Sequence, residues 1–272
     1  MTDRYAVIGH PVAHSKSPEI HAMFARECGE DMQYERLLAP LAGFAGTVEA
    51  FRQGGGSGAN VTLPFKLEAF AYANERTPRA ERGGSVNTLK FEGDRIIGDN
   101  TDGFGLCRDI VQNLAWPLQG ARVLLVGAGG AARGIVGALL DCQPEMLGIA
   151  NRTHSKAQAI VEMFAAAKVL HAISQAELPH RQFDVVINAT SASLNGSLPP
   201  VPACCFGPDA LAYDLMYGKG LTPFLQLAAD AGAKTAGGLG MLIEQAAEAF
   251  YVWRGVRPST RPVIELLGQT AL

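Results

Sequence analysis

A chain of 272 residues, 48% of them hydrophobic, is long enough for one large domain or for two that each bury a core. A net charge of −3, with lysines and arginines scattered, gives no basic field for nucleic acid or anionic lipid, so the expected partner is a small molecule. No apolar run reaches the ~18 residues of a membrane span or the pattern of a signal peptide, and Cys28, Cys107, Cys142, Cys204 and Cys205 show no metal spacing, which makes a cytoplasmic protein with buried thiols the expectation.

The first hundred residues alternate between strand and helix patterns: a strand over 5–9, a helix over 18–28, a strand over 33–38 and a helix around Phe44 and Phe51. Ser17 is placed to cap the first helix, Pro18 suits its first turn and Gly29 lies just past its end. The run 53–58 reads as a surface loop before a strand signal at Asn60-Val-Thr62. Segments 85–91 and 95–98 flank Glu92-Gly93-Asp94 as a hairpin. A helix over 103–114 leads through Trp116-Pro117 and Gly120 toward a second domain. There, short apolar strands at 122–126, 146–150, 184–189 and 210–215, with helical patterns between several of them, predict a doubly wound sheet. A last long helix over 239–253 carries Leu239, Leu242, Ile243, Ala246 and Phe250 on one stripe and stops at Gly255.

The strand over 122–126 runs into Gly127-Ala128-Gly129-Gly130-Ala131. Gly127 permits a tight exit from the strand, and Gly129 lets backbone N–H groups approach a pyrophosphate at the start of a helix, the pattern of a dinucleotide site. Such a site normally places a carboxylate on the adenosine ribose after the next strand, but here Asn151-Arg152-Thr153 and Lys156 follow. Two cations with neutral donors favour a 2′-phosphate, and so NADP(H) over NAD; the alternative is a solvated helix start with ordinary surface cations.

The loops of the first domain hold Ser15, Ser17, Asn60, Thr62, Lys66, Asn87, Asn100 and Asp102, mostly neutral hydroxyls and amides of the kind that bind a polyhydroxylated ligand. Each has a structural alternative: Ser17 and Thr62 as helix caps, Asn100 and Asp102 as turn formers, Lys66 as a solvated helix lysine. His14 has no carboxylate partner at a recognisable spacing, no metal pattern is present, and Gly218-Lys219-Gly220 does not satisfy the phosphate-loop motif.

Taken together, His14-Ser-Lys-Ser-Pro18, Gly58-Ala-Asn-Val-Thr-Leu-Pro-Phe-Lys66, Val86-Asn-Thr88, Gly98-Asp-Asn-Thr-Asp-Gly103, Gly127-Ala-Gly-Gly-Ala131, Asn151-Arg-Thr153, Asn188-Ala-Thr-Ser191, Tyr217-Gly-Lys-Gly-Leu-Thr-Pro-Phe224 and Gly238-Leu-Gly-Met-Leu242 resemble, in order, the NADP-dependent shikimate/quinate dehydrogenase family. The resemblance implies two α/β domains with an interdomain cleft: a substrate domain from 1–104 plus 239–272, and a Rossmann-type NADP domain over 105–238. It implies reduction of 3-dehydroshikimate to shikimate, with Lys66 and Asp102 catalytic, Ser15 and Ser17 as a carboxylate clamp, and Asn60, Thr62, Asn87, Tyr217 and Gln245 on the substrate. Gly127, Ala128, Gly129, Gly130, Ala131, Asn151, Arg152, Thr153, Lys156, Thr190, Gly238 and Met241 fall to the cofactor. Several positions depart from the family pattern: Ser85 and Gly237 stand where alanine and aspartate are common, Ser193 where glycine is frequent, and Lys156 where arginine is common. An ammonium makes fewer fixed bonds to a 2′-phosphate than a guanidinium does. An NAD-preferring quinate/shikimate dehydrogenase and a non-catalytic NADP-responsive binding protein are the rival readings, and a monomer or homodimer is expected.

Overall fold

The computed structural model describes residues 2–192, 196–218 and 220–269, with Ser193 and Lys219 outside the described residues. The chain divides into two compact units, Met1–Gly105 with Leu242–Leu266 and Leu106–Met241 with Leu267–Leu272. Among the described residues, no helix is long and apolar enough to cross a membrane.

The first unit holds strands β1 (Asp3–Gly9), β2 (Met32–Leu38), β3 (Gly56–Val61), β4 (Glu75–Arg76), β5 (Thr88–Glu92) and β6 (Arg95–Asp99) in the order β2-β1-β3-β5-β6-β4. Strands β2, β1 and β3 run parallel, β5 pairs antiparallel with both β3 and β6, and the β5–β6 hairpin turns through Gly93 at φ 62°. Helices α2 (Phe44–Gln53), α3 (Lys66–Tyr72) and α4 (Pro78–Gly83) belong to the same unit. Ile8, Ala59, Val61 and Leu89 project from the sheet into a core with Phe44, Val48, Phe65 and Ala80 of these helices and the residue before α3. The loop expected over 53–58 is shorter than foreseen, because β3 begins at Gly56; a Cβ there would lie 2.5 Å from the Phe51 ring, so only glycine lets the strand start under that helix.

The side chains of β1 and β2 that alternate with these meet α1 (Ser17–Cys28) and α9 (Leu239–Arg254). Trp253 stacks on Tyr5 at 4.6 Å and donates its indole N–H to the Leu89 carbonyl at 3.0 Å. A Cβ on Gly58 would lie 2.6 Å from that indole nitrogen, so glycine makes room for it. His21 of α1 stacks on Tyr34 at 4.3 Å and 8°, with Phe24, Phe250 and Trp253 around it. The sequence places Ser17 as the cap of α1, but the capping position is Lys16, no side chain caps the helix, and Ser17 is its first residue.

His21 is fully buried, and among the described residues neither ring nitrogen reaches a hydrogen-bonding partner. Burial pushes the imidazole down to about 3, opposed in part by the nearby Asn60 side chain. The folded protein therefore refuses a proton that the unfolded chain accepts below the ordinary histidine value near 6.5, and stability is lost as pH falls from there toward 3. Relative to His21→Phe, the wild type is expected to lose about 2 kcal/mol between pH 7 and 5. Urea midpoints of both proteins at the two pH values measure this, since the comparison across pH cancels any packing cost of the substitution; an unchanged difference would mean the imidazole is free to charge in the fold.

The second unit is built on six parallel strands: β7 (Arg122–Val126), β8 (Met146–Ala150), β9 (Leu170–Ile173), β10 (Phe183–Asn188), β11 (Phe206–Asp214) and β12 (Lys234–Gly237), in the order β12-β11-β10-β7-β8-β9. Val123, Leu125, Leu147, Ile149, Val185 and Ile187 face one core with Ile135 and Val136 of α6 (Gly130–Asp141) and Ile160 of α7 (His154–Met163). The alternating Leu124, Val126 and Val186 face another with Phe224 and Leu225 of α8 (Pro223–Asp230). Burial on both faces explains the unbroken apolar strands. The helix expected over 103–114 is α5 (Asp102–Arg108), continued by a π-helical turn, Asp109–Asn113. The carboxylate of Asp109 accepts the Tyr213 hydroxyl at 2.6 Å, and a Cβ on Gly240 would fall 2.0 Å from that carboxylate.

Candidate active site

The polar residues singled out in the first unit gather where β3 and β6 end and β5, α1, α3 and α5 begin. Lys66 opens α3, Asp102 opens α5, and Nζ of the lysine donates to Oδ2 of the aspartate at 2.5 Å. Both are nearly buried, with side chains 12% and 6% exposed. The helix N-terminus favours the aspartate's charge and opposes the lysine's, so the ion pair is what makes the ammonium tolerable at the start of α3. The second aspartate oxygen accepts from Asn87 Nδ2 at 2.9 Å. Asn87 Nδ2 also lies 3.2 Å from Gln245 Oε1, and Thr101 Oγ1 donates to that same oxygen at 3.3 Å. Gln245 comes from α9, far along the chain, yet it sits in the same unit.

The turn carrying Asp102 is held by its own side chains. Asn100 Oδ1 accepts the Asp102 backbone N–H at 3.1 Å, and Asn100 Nδ2 donates to the Ser85 carbonyl at 3.0 Å and to its hydroxyl at 2.9 Å, so Asn100 is a turn former. Asp99 is clamped from beneath by Arg79, whose guanidinium donates to both carboxylate oxygens at 2.6 Å and to Glu248 of α9 at 2.8 Å. Burial pushes the Asp99 carboxyl up, but the Arg79 fork overcomes this and holds it below its ordinary value.

Ser15 Oγ donates to Ser17 Oγ at 3.1 Å, both are buried, and Arg36 donates to the Ser15 carbonyl at 2.9 Å. Asn60 Oδ1 accepts from the Tyr34 hydroxyl at 2.7 Å, while Nδ2 donates to Thr88 Oγ1 at 3.1 Å. Thr62 follows β3, and its hydroxyl makes no hydrogen bond among the described residues; it caps no helix, since Phe65 holds the capping position of α3. Tyr34 and the Arg79–Asp99 pair escape sequence reasoning. A tyrosine on an alternating strand and an arginine in a charged helix carry no spacing that points to a site.

The remaining candidates belong to the second unit. Gly127 leaves β7 at φ 119°, and a Cβ there would lie 3.1 Å from the Ala189 carbonyl, beside the neighbouring strand β10. Sheet order reverses between β7 and β10, which is where open α/β sheets bind nucleotides. Ala128, Gly129, Gly130 and Ala131 form the turn into α6; Gly129 occupies its capping position, no side chain caps it, and nothing lies within 4 Å of a Cβ built there. Uncapped N–H groups beside open space suit a pyrophosphate. After β8, Asn151 Nδ2 donates to the Thr153 carbonyl at 2.9 Å, and Arg152 and Lys156 are exposed with no carboxylate partner among the described residues. Those residues fit a 2′-phosphate. The Thr190 hydroxyl is turned inward to Asn188 Oδ1 at 2.7 Å. At Gly238 a Cβ would fall 2.2 Å from the Leu215 carbonyl, and Met241 is buried with its N–H 3.3 Å from the Tyr213 hydroxyl, so packing within this unit already accounts for both. Tyr217 is half-buried in the segment between β11 and α8.

Three family models match the chain: a shikimate dehydrogenase substrate binding domain over residues 7–89, shikimate/quinate 5-dehydrogenase over 109–195, and a shikimate 5′-dehydrogenase C-terminal domain over 238–267. A shikimate dehydrogenase (NADP(+)) of Nitrosospira multiformis is 58% identical over 268 residues, 98% of each chain. Among solved structures, an Ael1 enzyme of Pseudomonas putida is 51% identical with a TM-score of 0.91, over 97% of this chain and 98% of that one. A shikimate 5-dehydrogenase of Thermus thermophilus, in complex with NADP(H) and shikimate, is 35% identical with a TM-score of 0.87, over 99% of this chain and 100% of that one.

Proposed function

This chain belongs to the shikimate dehydrogenase family, NADP-dependent oxidoreductases acting on a CH–OH group, and from that premise we propose that its Lys66–Asp102 pair serves the reversible reduction of 3-dehydroshikimate to shikimate. The observation that carries this reading is the nearly buried ion pair at 2.5 Å, set among amides and hydroxyls rather than other charges.

NADPH, when bound, supplies a hydride. Lys66 presents its ammonium to the ketone oxygen, stabilises the developing alkoxide and passes it a proton. Asp102 aims that ammonium, and Asn87 fixes Asp102 through its other oxygen. Ser15 and Ser17 hold the substrate carboxylate, aided by the uncapped N-terminus of the twelve-residue helix α1. Asn60, Thr62, Asn87 and Gln245 meet the ring hydroxyls, and Tyr217 completes the substrate contacts. Gly127 through Ala131 take the pyrophosphate, Asn151, Arg152, Thr153 and Lys156 the 2′-phosphate, and Thr190, Gly238 and Met241 border the cofactor. Residues 1–104 plus 239–272 form the substrate domain in this reading, and 105–238 the NADP domain.

The test follows absorbance of the reduced cofactor with 3-dehydroshikimate. Turnover with NADPH is expected, and kcat/KM with NADH is expected to be lower by about two orders of magnitude. Arg152→Ala is expected to cost about 10- to 100-fold in kcat/KM for NADPH and to leave the NADH value within about twofold. Absence of turnover despite NADPH binding would reduce the protein to a binding module. Equal loss with both cofactors would remove Arg152 from the 2′-phosphate.

A further inference from the structure

We propose that Tyr34 is a positioning residue for the substrate, holding the Asn60 amide through its phenol; the proposal rests on the assignment of Asn60 as a substrate ligand.

The hydrogen bonds run in one direction. The Tyr34 phenol donates to Asn60 Oδ1 at 2.7 Å. Asn60 Nδ2 then donates to Thr88 Oγ1 at 3.1 Å, and Thr88 Oγ1 donates to Asn87 Oδ1 at 2.8 Å. Asn87 Nδ2 ends the sequence on Asp102, the partner of Lys66. Tyr34 reaches the amide on β3 because its side chain crosses over β1 in the sheet order β2-β1-β3.

An asparagine amide has two ends of nearly equal shape and opposite polarity, and only its neighbours decide which end faces which way. The Asn87 carbonyl can only accept, and it takes Asn60 Nδ2 at 3.3 Å beside Thr88, so Oδ1 faces Tyr34 and receives the phenol proton. That choice sets whether a substrate hydroxyl beside Asn60 meets a donor or an acceptor. Tyr34 holds the carbonyl end in place because its ring is fixed: His21 lies flat on it at 4.3 Å, and Trp253 packs at 6.2 Å. Burial of the phenol pushes it well above its ordinary value, so it remains a donor throughout the working range of pH. No other hydroxyl or amide of β2 is placed this way, since Gln33 and Glu35 point to the opposite side of the strand from Tyr34.

Kinetics of shikimate oxidation for the wild type, Tyr34→Phe, Asn60→Ala and the double variant test the proposal. Tyr34→Phe keeps every ring contact and is expected to raise KM for shikimate about five- to tenfold, with kcat and the KM for NADP each within about threefold. In the Asn60→Ala background the same replacement is expected to change KM by less than about twofold, because the residue it acts through is gone. Equal increases from Tyr34→Phe in both backgrounds would overturn the coupling. A raised KM in Asn60→Ala with none in Tyr34→Phe would refute Tyr34 and spare Asn60. No change in Asn60→Ala would refute the ligand assignment on which the proposal rests.

Discussion

Replacing Lys66 with alanine is expected to lower kcat for 3-dehydroshikimate by about 10²- to 10⁴-fold, the span a positioned proton donor supplies. NADPH binding is expected to persist, because the cofactor residues lie on other elements, the β7–α6 turn and the segment after β8. The Asp102 carboxylate left behind retains the Asn87 amide at 2.9 Å, so the fold is expected to survive the loss of its ion-pair partner. Asp102→Asn should also reduce kcat, by misdirecting the ammonium rather than removing it. Single-turnover measurement of NADPH oxidation separates the chemical step from binding. A Lys66→Ala enzyme within a few-fold of wild type would end the proposed role, and an unchanged rate in Asp102→Asn would leave Asp102 as a turn former.

Arg79→Ala is expected to destabilise the first unit by about 3 kcal/mol, near the lower end for removing one partner of a buried pair. Its guanidinium is 36% exposed, but the Asp99 carboxylate beneath it is only 3% exposed and loses both hydrogen bonds at once. Glu248 is better protected, since Arg257 also reaches it at 2.6 Å. Arg79→Lys should recover less than half of the loss, because a single ammonium cannot reproduce the fork. The chain has two tryptophans, one in each unit, so fluorescence of Trp253 in a Trp116→Phe background follows unfolding of the first unit alone. An unchanged midpoint would mean that Asp99 finds another partner. Because Asp99 Oδ1 also accepts the Asn100 backbone N–H at 2.7 Å, the folded fraction of Arg79→Ala is expected to turn over more slowly as well.

The elements that were legible share a physical cause. Strand β7 and its glycine turn announce themselves because a strand buried on both faces must be continuously apolar, and a turn at φ 119° against the Ala189 carbonyl tolerates no side chain. Helix α1 is marked by Pro18 and by Gly29 at φ 68°. What misleads is local chemistry with two solutions. Ser17 before a proline is good capping sequence, yet the helix takes Ser17 as its first residue and leaves its hydroxyl beside Ser15. The apolar pattern that predicts one helix over 103–114 is satisfied equally by a π-helical end, since one wider turn retains Ile110 in the core while aiming Asp109 at Tyr213.

The order of strands and helices, the dinucleotide turn, the cationic pair after β8 and the set of amides and hydroxyls are written in the sequence, because each depends on neighbours within a few residues or on an apolar period. Which of those polar groups touch is decided by tertiary structure. Tyr34 reaches Asn60 across an intervening strand, Gln245 meets Asn87 from 158 positions away, and Arg79 joins Asp99 to Glu248 across 169. Hydrogen bonds and ion pairs depend on distances of a few ångströms between side chains, and only the folded sheet with α1 and α9 laid on one face sets those distances.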